Sequence, residues 1–106
     1  MKSITLFDIA HARSGDKGNR VNIGVIARNR ADYPLLVKEL TADKVKKFLS
    51  EFCLGQVERF ELENLSALNF VLHNALRGGG TLNLKLDSQG KTLGMALLRM
   101  KLEIPS

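Results

Sequence analysis

The chain has one cysteine, no tryptophan, one tyrosine and two prolines in 106 residues. A single cysteine excludes an internal disulfide and leaves a cysteine-rich zinc site short of ligands. Cys53 stands between Phe52 and Leu54 and reads as a small hydrophobe in the core. No apolar run approaches the ~18 residues needed to span a bilayer. The opening stretch MKSITLFDIA, broken by Asp8, lacks the apolar length and small-residue cleavage site of a secretory signal. The expectation is a cytoplasmic protein, with no membrane association. His11 and His73, with Asp16, show no metal-ligand spacing, so neither a metal nor a cofactor is expected.

What is present is an ordinary globular composition, 44% apolar and 25% charged. Length and composition suit one domain over residues 1–106 that buries its core without staples. The formal net charge of +5 admits a polyanion partner. The basic residues, however, are spread along the whole chain, and aromatics make up 6%. No RNP-type, helix-turn-helix or zinc-finger pattern appears, so nucleic acid is a poor candidate.

ITLFDIAH, with its β-branched and aromatic residues, predicts a strand. NRVNIGVIAR alternates Val21, Ile23, Val25 and Ala27 with Asn22 and Gly24 and predicts a second. Turn signals at Gly15-Asp16-Lys17-Gly18 join them as a hairpin. Pro34 suits the first turn of a helix. Thr41 reads as the N-cap of another, with Val45, Phe48, Leu49 and Phe52 at helical spacing and Gly55 as the stop. QVERFELEN predicts a third strand through Val57, Phe60 and Leu62. Asn64 then caps a predicted helix, LSALNFVLHNAL, whose apolar stripe is Leu65, Leu68, Leu72, Ala75 and Leu76. TLNLKLDSQGKTLGMALLRMKLEI predicts a hairpin turning at Asp87-Ser88-Gln89-Gly90. A phase slip near Leu97-Leu98 marks a bulge or a strand buried on both faces. The order β-β-α-α-β-α-β-β implies an α+β fold, a two-layer sandwich with a mostly antiparallel sheet and helices on one face.

Two constellations carry chemistry. The first is Arg13, Ser14, Gly15, Asp16, Lys17, Gly18, Asn19 and Arg20. Glycines let backbone N–H groups point at an anion, while Arg and Lys supply charge and forked donors. Neither the Walker spacing nor G-x-G-x-x-G is present. The same residues also make an ordinary solvated turn, with Asp16 paired to Arg20. His11, at the entry to this loop, is either a general acid or base or a half-buried strand residue. The second constellation is Asn69, His73 and Arg77, one polar stripe at i, i+4 and i+8 on the predicted helix. It either lines a cleft or is a plain solvated face. Its end, Gly78-Gly79-Gly80, holds more glycine than a C-cap needs.

HARSGDKGNRVNIGVIAR, LTADKVKKFL, NLSALNFVLHNALRGGG and LDSQGKTLGMALL, in that order, resemble the C-terminal domain of the acyclic-terpene-utilisation (AtuA) family. Its motif-like positions match His11, Arg13, Ser14, Gly15, Asp16, Lys17, Gly18, Asn19, Asn69, Gly78, Gly79, Gly80, Asp87, Gln89, Gly90 and Lys91. The resemblance implies a ferredoxin-like α+β fold, fused behind a larger domain or separate from it. It also implies a place in bacterial breakdown of branched acids and terpenoids through acyl-CoA intermediates, and it supplies no assigned catalytic residue. The expected role is an accessory or half-site module that associates with itself and with a larger partner resembling the AtuA N-terminal domain. Arg13 and Lys17 would take the charge of an acyl-CoA, Gly15 and Gly18 would open the backbone, and Asp16 and Asn19 would fix the loop. One alternative is a stand-alone hydratase or lyase with His11 and Asp16 as acid and base. Another is a general polyanion binder that weakens steeply with salt.

Overall fold

Val21, Ile23, Val25 and Ala27 all point into the core from β3 (Arg20–Ala27), as the period of two requires. A computed structural model describes residues 2–17, 20–50, 55–74 and 92–104. Strand β3 pairs antiparallel with β2 (Ala10–Lys17) on one side and with β5 (Ala67–Leu72) on the other; β4 (Val57–Leu62) closes the sheet beyond β5. The register sets Val21 opposite Leu72, Ile23 opposite Phe70 and Val25 opposite Leu68. These cross-strand pairs form the centre of the core. A separate two-stranded sheet joins β1 (Lys2–Thr5) to β6 (Lys101–Ile104).

The helices lie on the Val21–Phe70 side. A 3-10 turn over Arg30–Asp32 leads into α2 (Tyr33–Glu39), with Pro34 in its first turn. Thr41 caps α3 (Ala42–Phe48), its hydroxyl accepting from Lys44 N at 3.2 Å. Leu36, Leu40, Val45 and Leu49 join the cluster formed by the inner faces of β3 and β5. A short helix, α4 (Thr92–Leu97), crosses β2 at Ala12 and Ser14. Gly94 makes this approach close: a Cβ there would lie 3.3 Å from Ser14 Oγ.

The α+β class and the mostly antiparallel sheet match expectation, and the element order differs in three places. The described part of LSALNFVLHNAL, residues 65–74, is not a helix: the 3-10 turn Glu63–Leu65 leads into the inner strand β5. Leu68 and Leu72 satisfy a helical spacing and a strand spacing alike, and pairing to both β3 and β4 decides for the strand. ITLFDIAH is not one strand either. Thr5 donates through both its N–H and its hydroxyl to Asp8 Oδ2, each at 3.0 Å, which folds Leu6–Ile9 into one helical turn, α1. Finally, the return strand of the expected C-terminal hairpin is broken: Thr92–Leu97 is helix α4, β6 pairs with β1, and the phase slip near Leu97-Leu98 is the junction between α4 and β6, not a bulge. The expected turn at Asp87-Ser88-Gln89-Gly90, together with Lys91, lies outside the described residues, as does Cys53. Among the described residues no helix is long and apolar enough to cross a membrane.

Candidate functional site on the open sheet face

The described helices cover one face of the four-stranded sheet. The other carries His11, Arg13 and Gly15 from β2, Arg20, Asn22, Gly24 and Ile26 from β3, Asn69 and Val71 from β5, and Glu58 and Phe60 from β4. Gly15 opposes Asn22, and Gly24 opposes both Arg13 and Asn69. Two side-chain-free positions thus alternate with two amides. An added Cβ at Gly15 would sit 3.3 Å from Asn22 Oδ1 and crowd it. Asn22 Nδ2 donates to Asn69 Oδ1 at 3.4 Å across β3 and β5. Arg20, Val21, Asn22, Asn69 and Val71 line a cleft of about 240 Å³ there.

The face presents positive charge and amide donors side by side. Arg20 and Arg13 are exposed forks with fixed charge. The two Asn amides carry donors beyond the one they share. At one side of the face, His73 follows β5, its N–H donating to the carbonyl of Gln56 at 2.9 Å. Its Nε2 lies 2.7 Å from Glu58 Oε1. Gly55 makes room for this junction, since a Cβ there would fall 2.5 Å from the His73 carbonyl oxygen. Gly55 therefore serves strand packing where a helix stop was expected.

The expected residues divide as follows. Gly15, Asp16 and Lys17 are strand residues, not a turn; Asp16 opposes Val21 and Lys17 opposes Arg20. Gly18 and Asn19 lie outside the described residues. Ser14 is on the helix side, its hydroxyl accepting from Gly94 N at 3.4 Å. His11 and Asp16 are five residues apart along one strand, roughly 16 Å, too far to act on one atom as acid and base. Asn69 and His73 do share a face, through strand alternation and not a helical stripe. Arg77 and Gly78-Gly79-Gly80 lie outside the described residues.

Sequence reasoning passed over Asn22 and Glu58. The polar phase of β3, Asn22 then Gly24, was the available signal for the first. For Glu58 the signal exists only once β4 and β5 are in register. Phe60, expected among the apolar positions of its strand, is 46% exposed on this open face. Among the described residues no group of three or more His, Cys, Asp or Glu could hold a metal.

A four-stranded antiparallel sheet with helices on one face and a polar, partly apolar second face defines an α+β module. The model of the AtuA ferredoxin-like domain matches residues 4–103, and the chain belongs to that family. Neither the comparison with curated proteins nor that with solved structures gave a match.

Proposed function

We propose that the chain is an accessory module of AtuA-type terpene-utilisation systems that binds the anionic end of an acyl-CoA on its open sheet face. One observation supports the reading above the others: Arg20, Asn22 and Asn69 line a single cleft, with Arg13 across Gly24 on the neighbouring strand. Charged forks and amide donors suit phosphate oxygens. Exposed Phe60 and Leu62 on β4, together with the half-buried Ile26, supply apolar area beside it. Association with a larger chain resembling the AtuA N-terminal domain, or with a second copy, would cover that area.

Co-purification of the chain with such a larger chain, followed by calorimetric titration with an acyl-CoA, tests this. Arg13→Ala with Arg20→Ala is expected to weaken binding by about tenfold or more, the scale of charge-assisted hydrogen bonds. Unchanged affinity overturns the anion site. Failure of the two chains to co-purify removes the partner.

A further inference from the structure

A second concave surface lies on the helix side, away from the open sheet face. Lys44 and Lys47 of α3, Phe48 at its end, and Met100 and Lys101 where β6 begins line a groove of about 320 Å³. Phe48, expected at helical spacing with Val45 and Leu49, is 43% exposed here, although those two are buried. Met100, 5% exposed, gives the groove an apolar floor. Lys44 is held by Glu39 Oε1 at 3.3 Å. Lys47 and Lys101 form no ion pair among the described residues. Two exposed cations, of which Lys101 also feels the Asp8 carboxylate, thus flank an aromatic ring and a thioether.

Each part narrows the ligand. Ammonium groups on flexible stems take point anions, and the stems themselves add apolar wall. Methionine adapts to irregular aliphatic shapes. A purely anionic ligand leaves Phe48 and Met100 unused, and a purely apolar one leaves the lysines unused. We propose that this groove binds an anionic amphiphile, with an aliphatic chain along Phe48 and Met100 and a carboxylate or phosphate head between Lys47 and Lys101.

Amide-shift titration with decanoate, decyl phosphate, decanol and inorganic phosphate, all below micelle-forming concentrations, tests it. Decanoate or decyl phosphate is expected to saturate shifts at Lys47, Phe48, Met100 and Lys101, and the tighter of the two names the head group. Decanol, lacking the charge, and phosphate, lacking the chain, are expected to bind at least about tenfold more weakly. Lys47→Glu with Lys101→Glu, both exposed positions, is expected to abolish these shifts and to leave coenzyme A shifts at Asn22 and Asn69 intact. That pattern also separates this site from the sheet-face reading. Equal binding of decanol, equal binding of phosphate, no saturable shift at these residues, or retained binding in the double variant would each overturn the proposal.

Discussion

Asn22 and Asn69, 47 positions apart in sequence, meet on the open sheet face, the amide of one donating to the side-chain carbonyl of the other at 3.4 Å. Their contact ties the strand that begins at Arg20, the end of the first polar constellation, to the strand that carries Asn69 of the second. The β2–β3 hairpin contributes Asn22, and the strand that was expected to be a helix contributes Asn69. The contact is long for a hydrogen bond, so a ligand that competes for either amide displaces little.

If these amides face an anion, a negative charge among them is costly. Asn69→Asp keeps the size of the side chain and adds that charge. Affinity for coenzyme A is expected to drop by about tenfold or more, while the melting temperature changes little, because the position is only partly buried. Calorimetry and thermal unfolding on the same samples separate the two effects.

Gly55 is a packing requirement. A Cβ at that position meets backbone, the His73 carbonyl oxygen at 2.5 Å and its carbon at 2.9 Å. Backbone cannot swing aside as a flexible side chain does. Gly55→Ala is expected to destabilise the fold by about 1–3 kcal/mol, as overpacking commonly does. Urea unfolding measures it, and an unchanged midpoint would contradict the β4–His73 junction.

Asp8 links stability to pH. Its carboxyl lies below the ordinary value of 3.8, chiefly because the Thr5 N–H, and then the Thr5 hydroxyl, donate to it. A folded-state pKa below the unfolded one gives stability that is fully present above the unfolded value. That stability is lost as pH falls through the folded value. Wild type is therefore expected to melt higher than Asp8→Asn near neutral pH, with the gap closing as pH drops below 3.8. A gap that persists undiminished in acid would remove the Thr5–Asp8 contact as its cause.

Tyr33 buries its hydroxyl with no hydrogen-bond partner among the described residues. Burial first, and Glu61 and Glu63 after it, push the phenol above its ordinary 10.0. An unpartnered buried hydroxyl costs about 1–3 kcal/mol. Tyr33→Phe is thus expected to be neutral or stabilising in urea unfolding, and a clear loss of stability would mean that the hydroxyl has a partner.

Local signals were legible wherever one element satisfied them alone. Thr41 caps its helix, Pro34 opens another, and the Val21–Ala27 alternation fixes the buried face of β3. They misled where two periods fit the same residues. Leu68 and Leu72 are four apart, which places them on one side of a helix and equally on one side of a strand. Only the partners β3 and β4, distant in sequence, decide between them. The Thr5–Asp8 turn is a local device, but it was hidden inside a run of β-formers. Of the candidate site, the charges Arg13 and Arg20 stood out in the sequence, and the shape did not. The cleft depends on Asn22 and Asn69 meeting across β3 and β5, which is a matter of register.

The most direct measurement is an amide-shift titration of the isolated chain with coenzyme A, in wild type and in Arg13→Ala with Arg20→Ala. The account predicts saturable shifts confined to Arg13, Arg20, Asn22, Asn69 and Val71, and their loss in the double variant. Shifts located elsewhere, or equal binding by both proteins, would contradict it.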